Sequence, residues 1–171
     1  QPSATILSAK QRVLYSLGVK EYNLKNITHA IARFTQSKEL ASYDVNLAKE
    51  ADLWIGNCYY SRDDYNNAIE AYKAFVNQSH EGSTNLPLGY YNLGYAYFQN
   101  KQYNEAEEAF DKFVSSRKVT NTELASDAYC RLGDCQYLKK NFAKAKEYYE
   151  KAYNANSNEG AYALYQKALM Q

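Results

Sequence analysis

The sequence predicts an all-α solenoid built from antiparallel helix pairs, and three observations carry that reading. A Leu/Ile-Gly dipeptide recurs as Leu17-Gly18, Ile55-Gly56, Leu93-Gly94 and Leu132-Gly133, its glycines standing 38, 38 and 39 residues apart. A fixed period of roughly 20–50 residues marks stacked supersecondary units. Aligned on those glycines, other positions agree. Tyr59 and Tyr97 come three on, Ile27, Tyr65, Tyr103 and Phe142 nine on, Ala30, Ala68, Ala106 and Ala145 twelve on, and Phe34, Tyr72, Phe110 and Tyr149 sixteen on. Two helices approach closely where side chains are short, and aromatics fill the space beside the crossing. Finally, only 2 prolines and 7 glycines interrupt 171 residues, as a helical chain requires.

Residues 1–8 read as an irregular lead-in. A helix is predicted over 10–25, with Val13, Leu14, Leu17 and Tyr22 on one side. Asn26 suits the cap of a second helix over 27–40. Ser42 and Asp44 break the pattern before a third helix over 46–60, which carries Ala51, Trp54, Ile55 and Cys58. Asp63-Asp64 makes a turn into a fourth over 65–76. Residues 77–87 form a polar loop, and Pro87 suits the first turn of a fifth helix over 88–100. Three more follow over 103–116, 122–140 and 142–154, the second capped by Asn121 or Thr122. Residues 156–158 form a turn. A ninth helix over 161–171 places Tyr162, Tyr165 and Leu169 at first-helix positions, as a cap or as the start of a fifth repeat in a longer array. The chain thus reads as one repeat domain over 1–171, with repeats over about 10–46, 47–86, 87–121 and 122–158 and a final segment over 159–171.

The charge balance of 20 Lys/Arg against 19 acids gives no basic field for nucleic acid. No apolar run is long enough to span a bilayer. No signal peptide is visible, and the chain opens on Gln1 rather than Met, as expected if a segment precedes it. Cys58, Cys130 and Cys135 show neither redox nor zinc spacing and read as small core residues in a reducing compartment or buried in an oxidising one. His29 and His80 lack ligand-spaced neighbours. Asp63-Asp64 reads as a turn before it reads as a cation site, and Glu105, Glu107 and Glu108 as a solvated face. No nucleophile elbow, zinc-helix or phosphate-loop motif occurs. The expectation is a non-enzymatic protein without cofactor or metal.

The repeated positions resemble the signature of the tetratricopeptide repeat family over roughly 10–158. Departures are the period, which exceeds that family's usual length of about 34 residues, the missing proline after each second helix, and Glu21 and Gln136 where an aromatic is usual. The resemblance implies a right-handed α-α superhelix whose first helices line a concave face that binds a peptide or partner protein. Carried over position by position, that face comprises Tyr22 and Asn23, then Leu53, Asn57 and Tyr60, then Tyr91, Asn92, Tyr95 and Phe98, and then Asp127, Arg131, Asp134 and Tyr137. Tyrosine, present 19 times, brings large area and a hydroxyl to such a groove, though many of these rings are expected to pack between repeats. Asn57, Asn92 and Arg131 match polar positions of a clamp that grips a C-terminal carboxylate. Leu53 and Asp127 occupy its lysine positions, and Asp127 repels a carboxylate. Residues 126–135 are similar to bacterial cell-envelope members of the family, implying a periplasmic or envelope scaffold. The alternatives are a cytoplasmic co-chaperone or adaptor, or the docking arm of a larger enzyme or transporter.

Overall fold

The structure, a computed structural model, describes residues 1–116, 122–156 and 166. Among them, helices follow in the order α1 (Ala4–Asn23), α2 (Ile27–Lys38), α3 (Val45–Tyr60), α4 (Tyr65–Gln78), α5 (Leu86–Gln99), α6 (Tyr103–Val114), α7 (Thr122–Leu138) and α8 (Phe142–Ala155). The all-α class and the helix-pair repeat are those the sequence predicts. The ninth predicted helix lies outside the described residues apart from Gln166, which is helical, and the candidate cap Asn121 also lies outside them.

The helix ends correct several expectations. The lead-in is mostly helix: the Ser3 hydroxyl accepts the Ile6 N–H at 3.3 Å, satisfying a free donor at the start of α1. Asp44 both interrupts the pattern and caps α3, accepting the Leu47 N–H at 2.9 Å. Asn26 stands at the cap position of α2, but its side chain donates to Glu21 at 2.8 Å instead. Asp64 caps α4 by accepting the Asn67 N–H at 3.3 Å, so the two aspartates make a turn. Pro87 lies in the first turn of α5. Glu107 leaves the solvated set: it bonds Gln136 of α7 and Lys139 just past that helix's end, while Glu105 and Glu108 stay exposed.

One turn recurs inside every helix pair. Lys25, Asp63, Lys101 and Lys140 have φ of 66°, 59°, 61° and 63°, each seven residues past a repeat glycine. The next residue's N–H reaches back five residues at 2.9–3.0 Å, as in Asn26 to Glu21, Asp64 to Tyr59, Gln102 to Tyr97 and Asn141 to Gln136. That is the Schellman closure, which takes up orphan carbonyls at a helix end.

The chain divides into two compact units, Gln1–Glu81 and Gly82–Gln171. In the first, α1 packs on α2, α2 on α3 and α3 on α4. Ala30, Phe34, Ala51, Ile55 and Cys58 form its core cluster. In the second, α5 packs on α6, α6 on α7 and α7 on α8, around Ala106, Phe110, Phe113, Ala128, Leu132 and Cys135. Cys130 belongs to a further cluster with Ala145, Tyr149 and Ala152. All three thiols are free and buried, in line with core positions.

Each repeat glycine lies under one ring. A Cβ on Gly18, Gly56, Gly94 or Gly133 would meet the ring of Phe34, Tyr72, Phe110 or Tyr149 at 2.7, 2.3, 2.8 or 2.5 Å. The glycine and the aromatic sixteen residues on are therefore one packing unit, the ring filling the space a side chain would need.

Candidate functional site

The two ring tyrosines carry hydroxyls that need partners once buried. Tyr72 donates to Asn57 at 2.6 Å and Tyr149 to Asp134 at 2.6 Å. Asn57 and Asp134 each directly follow their repeat glycine. Where the ring is Phe34 or Phe110, that position holds Val19 or Tyr95, and no hydroxyl needs satisfying. Two predicted groove residues thus have a structural task.

In the second unit the candidate face is built by α5 and α7. Tyr91 and Tyr95 are four apart, so they lie one turn apart on the same side of α5, with ring centroids at 5.1 Å. Both hydroxyls donate to one Asp127 oxygen of α7, Tyr91 at 2.7 Å. Tyr95 stands edge-on to Phe110 at 5.3 Å, and Tyr91 leans on Phe113 at 5.1 Å. One turn beyond Asp127, the Arg131 guanidinium pairs with Asp134 at 2.8 Å and approaches Asp127 at 3.9 Å. It also lies over Phe98, 5.9 Å from the ring centroid. Tyr91, Tyr95, Phe98, Arg131 and Asp134 are thereby brought into one network with Asp127 at its centre. Asn92 is half-buried. Tyr137 is exposed, edge-on to Phe142 at 5.5 Å.

Burial pushes the Tyr91 and Tyr95 phenols far above their ordinary range, and hydrogen bonding to the Asp127 carboxylate raises them further. Both rings therefore remain donors. Two aspartates surround the single guanidinium, so this face offers acceptors and aromatic edges rather than an unbalanced positive charge.

In the first unit, Tyr22 is half-buried and stands edge-on to Trp54 at 5.3 Å. The Trp54 indole N–H donates to the Tyr15 hydroxyl at 2.8 Å, and its ring stacks on Phe34 at 5.7 Å. Asn23 is exposed. Tyr60 meets Tyr65 edge-on at 5.4 Å. Leu53 does not line a surface as predicted; it is 5% exposed and belongs to the core.

Sequence reasoning missed Tyr15 and Trp54 as partners; it placed Asp127 on the face and as a charge that repels a carboxylate, but not as the acceptor of two tyrosine hydroxyls. Nothing local links Asp127 to tyrosines 36 and 32 residues away. The clamp-type recognition of a carboxylate gains no support: Asn57 is engaged by Tyr72, and Arg131 stands between two aspartates. Among the described residues, no group of three His, Cys, Asp or Glu is placed to hold a metal ion. Desolvation lifts the Cys58 thiol to about 11 and the Cys135 thiol to about 12, so both stay protonated and weakly nucleophilic. No described helix is long and apolar enough to cross a membrane.

Comparison with known proteins agrees with the helix-pair fold. Two tetratricopeptide repeat models match, one over residues 85–158 and one over 50–79. Similar solved structures include a MamA protein, at 25% identity and a TM-score of 0.73 over 94% of this chain and 84% of that one. MamA from Desulfovibrio magneticus RS-1 shares 22% identity at a TM-score of 0.69, over 86% and 76% of the two chains. BtubC from P. vanneervenii shares 12% identity at a TM-score of 0.76, over 92% and 66%. No curated protein sequence matches.

Proposed function

The chain belongs to the tetratricopeptide repeat family, a protein–protein interaction scaffold, and on that footing we propose that it binds an extended peptide segment on its first-helix faces. The observation that carries this reading is the network of Tyr91, Tyr95, Asp127 and Arg131 on α5 and α7. Its side chains are neither core nor freely solvated. They are held in fixed geometry while still partly exposed, which lowers the entropy cost of binding. Tyrosine and arginine are the residue types that most often anchor interfaces. With two aspartates around one arginine, the fitting segment carries backbone amides and an amide or cationic side chain.

The test compares the wild type with Tyr91→Phe/Asp127→Asn, which keeps the ring packing and removes the hydrogen-bonded carboxylate. Cross-linking capture from a cell extract should recover a partner with the wild type and lose most of it with the variant. Equal recovery from both would move binding off this face.

The setting we propose is the bacterial cell envelope, with the protein acting as an assembly scaffold there. The support is the similarity of residues 126–135 to envelope members of the family. Fractionation of the native cell is the check, and a purely cytosolic signal would overturn it.

A further inference from the structure

α1 carries an apolar stripe that its own unit leaves uncovered. Ile6 and Val13 are 60% and 57% exposed, Leu17 is half-exposed, and Leu24, just past the helix end, is 59% exposed. At about 100° per residue the three helical ones, Ile6, Val13 and Leu17, fall within an arc of about 40°, over a length of about 17 Å. Lys10 and Lys20, both exposed, flank the stripe on opposite sides, about 15 Å apart along the axis.

The repeat itself shows what covers such a stripe. Shifted by one period, Lys10, Val13, Leu17 and Lys20 become Ala48, Ala51, Ile55 and Cys58, all buried, where α2 lies against α3. In the second unit they become Ala125, Ala128, Leu132 and Cys135, where α6 lies against α7. In both units the occupant is an antiparallel-pair helix presenting an alanine and a ring. On α1 the small residues at the two outer positions are replaced by lysines, which tolerate a helix only if it brings opposite charge. The surrounding field agrees. Residues 1–38 hold six Lys/Arg and one acid, while the remaining chain holds 14 against 18.

We infer that the outer face of α1 docks an amphipathic helix whose apolar stripe is flanked by carboxylates. Ile6, Val13 and Leu17 seat the stripe, and Lys10 and Lys20 pair with the acidic flanks. This surface belongs to the first unit, and the α5–α7 face to the second. Apolar contact supplies the affinity, and the lysines supply orientation and discrimination against basic helices.

The probe is a helix-stabilised fluorescein peptide of about 18 residues, long enough to span the stripe, with a Leu/Ala stripe and glutamates on both flanks. A second peptide carries lysines in place of the glutamates. Fluorescence anisotropy with the full chain should saturate for the acidic peptide and weaken at least about tenfold for the basic one. Val13→Asp should weaken the acidic peptide by about tenfold or more while leaving far-UV circular dichroism unchanged. Lys10→Glu/Lys20→Glu should reverse the preference, and Asp127→Asn should leave binding as it was. Equal binding of both peptides, or binding indifferent to Val13→Asp, overturns the inference. So does association with phosphatidylglycerol vesicles in the absence of peptide binding, which makes the stripe a lipid-facing surface. A dimer seen by sedimentation and dispersed by Val13→Asp also overturns it, making the occupant a second copy.

Discussion

Every helix pair closes on a glycine and a ring, and a single methyl group is the natural probe of that closure. On Gly56 it would stand 2.3 Å from the Tyr72 ring, which is fully enclosed and cannot retreat. Gly56→Ala should therefore cost about 1–3 kcal/mol by overpacking, read as a lower urea midpoint at unchanged slope. An unaltered midpoint would refute the packing unit. The hydroxyl that comes with the ring makes a second prediction. Asn57→Val strands the Tyr72 O–H and should cost about 1–3 kcal/mol, whereas adding Tyr72→Phe should restore most of the loss. Simple additivity of the two changes would mean that the 2.6 Å bond contributes nothing. Both features were legible in the sequence: the spacing of sixteen names the pair, and an Asn or Asp follows the glycine only where the ring is tyrosine. Asn57 and Asp134, read from the sequence as groove residues, also accept the ring hydroxyls.

At the level of the element, the informative feature is the turn inside each pair. It places a lysine or aspartate in the left-handed region, where a side chain costs about 1–2 kcal/mol. Glycine is the usual occupant of that site. Lys101→Gly should accordingly stabilise the second unit by about 1 kcal/mol, allowing for glycine's greater freedom when unfolded. A loss of stability in thermal melts would show that the Lys101 side chain holds the turn by contacts that outweigh its backbone strain. The periodicity located these turns to within a residue. It did not reveal their conformation, because lysine is an ordinary helix-end residue and only the closing hydrogen bonds show the backbone winding left-handed. The start of α1 was hidden for a similar reason: Ser3 becomes a cap only once the following N–H groups point at it.

For the molecule as a whole, burial of ionisable rings and thiols in both units sets the response to alkali. Cys58 in the first unit and Cys135 in the second keep their protons to about 11 and about 12, whereas an unfolded thiol loses its proton near about 8.5. Tyr72 and Tyr95 are raised further still, chiefly by desolvation. Between the unfolded and folded values the native state holds more protons, so raising the pH favours unfolding. This stability is complete below about pH 8.5 and is lost progressively above it. The urea midpoint should be flat from pH 7 to 8 and fall steadily toward pH 11; a flat profile over that whole range would contradict the burial of these groups. A second whole-molecule property is charge. The near-neutral total conceals a basic first helix pair, and the stripe on α1 has meaning only beside that local excess.

By itself, the sequence determined the all-α class, the helix-pair period and the aromatic recurring sixteen residues after each glycine. These follow from side-chain volume recurring at fixed spacing, and volume is written residue by residue. Tertiary structure alone decided that Tyr91 and Tyr95 share Asp127, that Trp54 reaches Tyr15, that Leu53 turns inward and that Val13 does not. Those outcomes depend on how one helix crosses the next and which rotamers the crossing admits. The partners lie a repeat apart, beyond the reach of any local pattern.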